Sequence, residues 1–333
     1  MTIKHPKKIV ISRTDSIGDV ALTLPMAGIL KQKFPNSHII FLGNTYTKPI
    51  IKCSTAVDEI WEWAELLKLS DKERINWLKQ QQVDVFIHVF PRREIARWAQ
   101  QAKIKYRIGT SHRLYHFLTT NCKVNFTRKN SNLHEAQLNI KLLKHFGINK
   151  NYSLKELTKL ACFTNLPNLK AELLSLFNPN KKNIIFHPKS QGSALEWGVD
   201  NFINLAKSLD ANKYQIFFTG TEKESEFFRD KLPVQDNIID VSGKMSLDDL
   251  IAFINHSDLL LACSTGPLHI AGLCNIKTIG LFTPRKPLHF GRWQPLGNQV
   301  SIVEEKNISE RTQPLNINLR VVNQEIEKQL FFK

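Results

Sequence analysis

The sequence predicts an α/β fold built from two Rossmann-like domains whose parallel sheets face a central cleft. Three observations carry this. Short apolar runs alternate with segments of helical apolar spacing along the whole chain. The alternation breaks once, in a polar stretch at 164–182 containing Asn165, Pro167, Asn168, Asn178, Pro179 and Asn180, and then restarts. A chain of 333 residues also exceeds one ordinary core. The expected domains are residues 1–165 and 180–333.

In the first half, Lys8–Ser12 reads as a strand, followed by the loop Arg13–Gly18 and a helix from Asp19 to Lys33. His38–Leu42 and Val83–Val89 are further strands, and Glu135–Phe146 is a helix stopped by Gly147. In the second half, strands are expected at Asn183–His187, Tyr214–Thr219, Ile238–Val241, Asp258–Cys263 and Lys277–Phe282. Helices are expected at Asp200–Leu209, Glu222–Lys231, Ser246–Ile254 and from Pro267 onward. A final amphipathic helix covers Val321–Phe332, and its packing partner stays open between the two domains.

Composition narrows the function. With 42% hydrophobic and 23% charged residues the chain reads as globular. No stretch reaches the roughly 18 apolar residues of a membrane span, and the apolar run Ile9–Ile11 is too short for a signal peptide. A cytoplasmic location is therefore expected. Five scattered cysteines with no C-x-x-C spacing argue against disulfides and a zinc site. The net charge of +16 favours anionic partners. It is concentrated between Val85 and Lys129, where ten Lys and Arg residues face the single acid Glu94. No nucleic-acid reading motif accompanies it, so nucleic acid is not an expected partner.

Two strand-end loops in the second half have phosphate chemistry. Ser264-Thr265-Gly266 leads from an apolar strand into a helix opened by Pro267, which is favoured at a first helical position. Ser264 or Thr265 is the expected cap, Gly266 admits close backbone approach, and free N–H groups point along the helix dipole toward an anion. His269 follows and can face a phosphate. The loop His187–Ser193 adds the Lys189 cation, the Ser190 and Ser193 hydroxyls, and the exposed backbone of Gly192. An ordinary capped helix start is the alternative at Ser264. Neither a Walker loop nor G-x-G-x-x-G is present, which removes most support for a nicotinamide dehydrogenase.

In the first half the corresponding loop ends at Asp19. That carboxylate is either a favourable helix start or a general base. One base and a diphosphate held by N–H donors suffice for attack by a hydroxyl with the diphosphate leaving, and such attack inverts the reacting centre.

These motifs resemble glycosyltransferase family 9, the ADP-heptose:lipopolysaccharide heptosyltransferases. Arg13–Pro25 is similar to the family's opening motif, in which Gly-Asp carries the base, here Asp19. His187–Trp197 is similar to its donor-phosphate loop, and Gly220–Glu224 to the segment whose Glu binds ribose, Glu224 or Glu222. Gly243–Leu247, with Met245, is similar to the nucleobase stretch, and Ser264–Ala271 to the Asp-Thr-Gly-x-x-His signature. The resemblance implies a GT-B fold and an inverting transfer of a sugar, heptose in the family, from an ADP-linked donor to a lipopolysaccharide-core or lipid A-type acceptor. It implies no bound metal and no further cofactor. The acceptor would be held in the N-terminal domain by Arg13, Ser16, Gly18, Arg92 and Arg93, and the donor in the C-terminal domain. Arg92 and Arg93 would also favour the anionic inner face of the cytoplasmic membrane. A monomer is expected. Ser264 replaces the family's Asp and Leu195 a frequent Lys, which leaves the donor sugar open. Two other classes stay in view: a nucleotide-sugar-modifying enzyme such as an epimerase, and a non-catalytic basic anion-binding protein.

Among remaining residues, the tryptophans are expected to pack in cores and His88 and His187 to be hydrogen-bonded structural residues. Arg285 and Lys286 can reach the cleft.

Overall fold

Continuous apolar runs form the central strands because helices cover both faces of each sheet. The computed structural model describes residues 2–129, 131–306 and 314–332. The outermost expected domain limits, Met1 and Lys333, lie outside them. Two units are present, the first ending at Asn165 and the second beginning at Leu166.

The first unit contains β1 (Lys8–Ser12), β2 (His38–Gly43), β3 (Glu59–Glu62), β4 (Val85–His88), β5 (Tyr106–Thr110) and β6 (Cys122–Val124). They form one parallel sheet in the order β3-β2-β1-β4-β5-β6. The second unit contains β7 (Lys182–His187), β8 (Tyr214–Phe218), β9 (Ile238–Asp240), β10 (Leu259–Cys263), β11 (Lys277–Phe282) and β12 (Val300–Glu304). Its order, β12-β11-β10-β7-β8-β9, is the same topology met from the other edge. Strand order reverses between β1 and β4 in one unit and between β7 and β10 in the other. Sheets of this kind bind ligands in the crevice outside the strand ends at such a reversal.

Several expected helices are broken. The segment expected as one helix from Asp19 to Lys33 is two: α1 (Ile17–Ala21) and α2 (Pro25–Lys33). Ser16 caps α1, so the helix starts before Asp19 and encloses Gly18, which is not in the loop. Pro25 has no N–H to continue a helix, and takes the N-terminal position of α2. The helix expected at Glu222–Lys231 stops at Ser225. Phe228 adopts φ −139°, and its ring packs 5.8 Å from that of Phe218. Glu135–Phe146 is α-helical only to Ile140 and continues as a 3₁₀ helix to Phe146, ended by Gly147 at φ 72°.

The C-terminal helix Leu319–Phe331 packs on the second unit, its Val322, Ile326 and Leu330 joining a core with Ile184, Phe186 and Ile216. Trp61, Trp98 and Trp197 are buried, while Trp63 is half-buried and carries the Arg92 guanidinium 3.9 Å above its ring. His187 has its expected partner, Thr219 Oγ1 at 3.0 Å. His88 does not: it is buried on β4 with neither ring nitrogen hydrogen-bonded, and burial pushes its pKa down to about 3. It is a neutral packing residue beside Phe86 and His116.

Helix α2 crosses the helix Leu154–Leu160 at Gly28, where an added Cβ would lie 1.9 Å from the Leu160 carbonyl oxygen. Backbone cannot give way there as a flexible side chain would. Gly28→Ala is expected to destabilise the first unit by about 1–3 kcal/mol in denaturant unfolding; an unchanged midpoint would show that the two helices separate freely.

Candidate functional site

In the first unit the loops leaving β1 and β4 are tied together at the strand reversal. Arg92 Nε donates to Thr14 Oγ1 at 2.7 Å and its Nη2 to the Thr14 carbonyl at 3.1 Å. Arg92 is therefore a clamp on the β1 loop, while Arg93 opens the helix Arg93–Gln101 and is exposed.

Arg13, only 4% exposed, is the centre of this loop. Its Nε donates to Asp15 Oδ1 at 2.7 Å, its Nη2 to Asp19 Oδ1, and its Nη1 to Asn139 Oδ1 at 3.4 Å, with Glu135 Oε1 3.5 Å away. Arg128 reaches the same pair, 2.9 Å from Glu135 Oε1 and 2.8 Å from Asn139 Oδ1. Burial opposes the charge on Arg13, but the carboxylates of Asp19, Asp15 and Glu135 outweigh it and hold the guanidinium above its ordinary pKa. Arg13, expected to meet an acceptor, is spent inside the loop.

Ser16 and Asp19 form a local pair at the start of α1. Ser16 Oγ donates to Asp19 Oδ2 at 2.6 Å and accepts from the Asp19 N–H. Asp19 thus sits in the first helical turn with both oxygens engaged, yet its side chain keeps 18% of its surface exposed. A carboxylate so placed is fixed in position and open on one side.

Asp15 was not singled out by the sequence pattern. Burial and the charge of Asp19 push its pKa up to about 6 against the pull of Arg13. The signal was present as the spacing Arg-x-Asp-x-x-x-Asp, two carboxylates flanking one cation.

In the second unit the loops leaving β7 and β10 meet at the corresponding reversal. Glu196 gathers the first loop: it accepts from Lys189 Nζ at 2.6 Å, from the Ser190 N–H at 2.8 Å and from Ser190 Oγ at 2.9 Å. Glu196 thus takes the Ser190 hydroxyl, which the sequence offers to an anion, together with the Ser190 N–H. Lys189 also lies 4.3 Å from the Phe227 ring centre. The chain then turns through Gln191 and Gly192, at φ 49° and 81°, and the Ser193 N–H donates to the Ser190 carbonyl at 3.0 Å. Ser193 Oγ lies 3.4 Å from the Ser264 carbonyl and so links the two loops. Leu195 packs against the core.

Thr265 occupies the cap position of the helix Gly266–Leu273, but neither it nor Ser264 caps through its side chain. Thr265 Oγ1 is buried in a residue 4% exposed and has no hydrogen-bond partner. The Gly266 and Leu268 N–H groups donate to no described acceptor, and Pro267 has no N–H. An anion at this turn would satisfy these donors. His269 is buried in the same helix.

The loops after β8 and β9 are joined by the Gly243 N–H, which donates to the Gly220 carbonyl at 2.9 Å. Glu224 is a buried capping-box residue whose Oε2 accepts from the Thr221 N–H at 2.7 Å. Glu222 pairs with Arg229 at 2.5 Å and lies across Gly243, where a Cβ would sit 2.0 Å from its Oε2. Met245 is half-buried beside them in sequence, and Arg285 and Lys286 follow β11. Among the described residues no group of three His, Cys, Asp or Glu side chains is placed to hold a metal ion, and no helix is long and apolar enough to cross a membrane.

Residues 75–318 match the family described as glycosyltransferase family 9 (heptosyltransferase). A putative glycosyltransferase of Haemophilus influenzae is 27% identical over 302 residues, covering 88% of this chain and 87% of that protein. The lipopolysaccharide core heptosyltransferase OpsX of the same organism is 21% identical, covering 93% of this chain and 88% of its own length. The structure of the Escherichia coli ADP-heptose LPS heptosyltransferase II superposes with a TM-score of 0.74 at 16% identity, over 97% of this chain and 98% of that one. The shared fold is of the GT-B type.

Because the pKa of Asp15 is raised in the folded protein from 3.8 to about 6, protonation favours the folded state; that contribution is full below about pH 4 and is lost as pH rises through 6. Asp15→Asn removes the ionisation. Its stability relative to the unsubstituted chain is expected to improve by something on the order of 1–3 kcal/mol between pH 4 and pH 8 in thermal unfolding. Parallel pH profiles would remove the upward shift.

Proposed function

The chain belongs to glycosyltransferase family 9, the heptosyltransferase family, and on that premise we propose that it moves a sugar, heptose first among candidates, from an ADP-linked donor to a lipopolysaccharide-core or lipid A-type acceptor. The reading places the work at the cytoplasmic face of the membrane. Family membership leaves behind the two other classes, an epimerase-like enzyme and a non-catalytic anion-binding protein. The H. influenzae relative named as a lipopolysaccharide core heptosyltransferase and the E. coli structure named for ADP-heptose support the choice of donor and acceptor.

The observation that carries the reading is the open anion turn at the strand reversal of the second unit. Gly266 and Leu268 present N–H groups there, Thr265 Oγ1 is buried without a partner, and Ser193 is linked to the same turn. A diphosphate supplies acceptors for all of these. Lys189, Ser190, Gly192, Pro267 and His269 would complete its surroundings, with Glu222 or Glu224 at the ribose and Met245 at the base. Ser264, half-buried, stands where the family's Asp does, and Leu195 is turned to the core, so Lys189 would supply the cation of that loop.

The first unit would hold the acceptor, with Asp19 as general base. The acceptor hydroxyl oxygen forms a bond to the anomeric carbon as the bond from that carbon to the diphosphate oxygen breaks. The hydroxyl proton passes to Asp19, and the nucleoside diphosphate leaves with the bonding electrons. Attack opposite the leaving group inverts the anomeric centre. Arg13 holds one oxygen of Asp19 in place, while Ser16 fixes the second. Arg92 acts by holding Thr14, and exposed Arg93 is available to an anionic acceptor.

Asp19→Asn is expected to lower turnover at least about a hundredfold with nearly unchanged ADP affinity by calorimetry. Arg13 retains Asp15 and Glu135 in that variant, so the fold should survive. Wild-type-like turnover would remove Asp19 from the mechanism. A thermal-shift screen of ADP-, GDP-, UDP- and CDP-linked sugars is expected to single out the ADP donor, and a preference for another nucleotide would overturn that assignment.

A further inference from the structure

Three large apolar side chains stand in solvent within five residues of the first unit: Leu114 (87% exposed), Phe117 (60%) and Leu118 (79%). One exposed leucine on a soluble surface is ordinary, whereas a contiguous group marks an interaction site. They lie between β5 and β6, on a turn and the short helix His116–Thr119.

The support beneath them is well bonded. His116 is fully buried, and its Nδ1 donates to the Thr110 carbonyl at 2.8 Å. Thr119 Oγ1 donates to the Tyr115 carbonyl at 2.8 Å, Gln100 Nε2 to the Leu118 carbonyl at 2.7 Å, and Arg107 Nε to the Thr119 carbonyl at 2.8 Å. The apolar groups are therefore presented by an anchored ridge, and the exposure is not the accident of a loose end.

The rim of this ridge has one sign of charge. Arg113 and His112 are exposed within it, and Lys123 Nζ lies 4.5 Å from the centre of the Phe117 ring. The helix Arg93–Gln101, which packs against His116–Thr119, exposes Arg93 and Arg97 one turn apart. Glu94 is the one acid from Val85 to Lys129. Apolar tips with a cationic rim match the interface of an anionic bilayer, where hydrocarbon burial and headgroup attraction add. A protein partner would have to be uniformly acidic to match so one-signed a surface.

From this we infer that the Leu114–Leu118 ridge is a membrane-insertion element. Leu114, Phe117 and Leu118 enter the interfacial layer of an anionic leaflet, and Arg97, Arg113 and Lys123 meet its phosphates. This rests on the reading that the acceptor is a glycolipid, and it adds the element that would bring the first unit to the lipid surface.

The test is co-sedimentation of the full chain with phosphatidylglycerol-containing vesicles and with pure phosphatidylcholine vesicles, with neither donor nor acceptor present. Binding to the anionic vesicles is expected. Combining Leu114→Ser, Phe117→Ser and Leu118→Ser should lower it at least about tenfold, with unchanged thermal unfolding and unchanged turnover on a soluble, deacylated acceptor. In addition, Leu118→Trp should show a blue-shifted emission component on anionic vesicles that the unsubstituted chain lacks. The inference is overturned if the unsubstituted chain does not bind, if the triple variant binds equally well, or if the Leu118→Trp emission does not move. Self-association through these residues without vesicle binding would assign the ridge to a protein partner and also overturn it. Vesicle binding without sugar transfer would instead count against the enzymatic reading alone.

Discussion

A guanidinium gives up its hydration only when anions replace the water, and Arg13, enclosed at the end of β1, sets that demand on everything around it. Asp15 and Asp19 answer from its own loop, and Glu135 and Asn139 from a distant helix. One buried cation thus fixes the conformation of the loop, the start of α1 and the position of Asp19. Removing a partner from such a group is costly, commonly about 3–5 kcal/mol, so the arrangement holds itself in place. Burial, with the charge of Asp19 beside it, outweighs the contact with Arg13, and the pKa of Asp15 rises.

The second unit solves the same problem with the signs exchanged. There a carboxylate, Glu196, gathers Lys189 and the Ser190 N–H and hydroxyl into one loop. The result is a shaped backbone beside the Ser264–Gly266 turn, whose own donors remain open. In each unit two strand-end loops are coupled across the reversal in strand order: Arg92 to Thr14 in the first, Ser193 to Ser264 in the second. Topology supplies the place, and a single charged side chain supplies the shape.

Much of this was legible in the sequence because it is local. Short continuous apolar runs located the named strands, and the turn at Ser264 announced itself by Pro267. Charge pairing across long separations was not legible: nothing near Arg13 points to Glu135 or Asn139, and nothing marks Glu196 as the organiser of its loop. Short or polar strands such as Glu59–Glu62 and Cys122–Val124 lack a continuous apolar run and were missed for that reason. The single helix expected across Pro25 failed because apolar spacing continues where backbone hydrogen bonding cannot. His88 had no sequence signal to separate a bonded histidine from one buried without partners.

Donor binding in the second unit depends on the open donors at the Ser264–Gly266 turn being the seat of a diphosphate. Diffraction from a crystal soaked with ADP tests it most directly. Diphosphate oxygens should lie within hydrogen-bonding distance of the Gly266 and Leu268 N–H groups and beside Ser193. Clear density for the diphosphate at any other place on the chain would contradict the account.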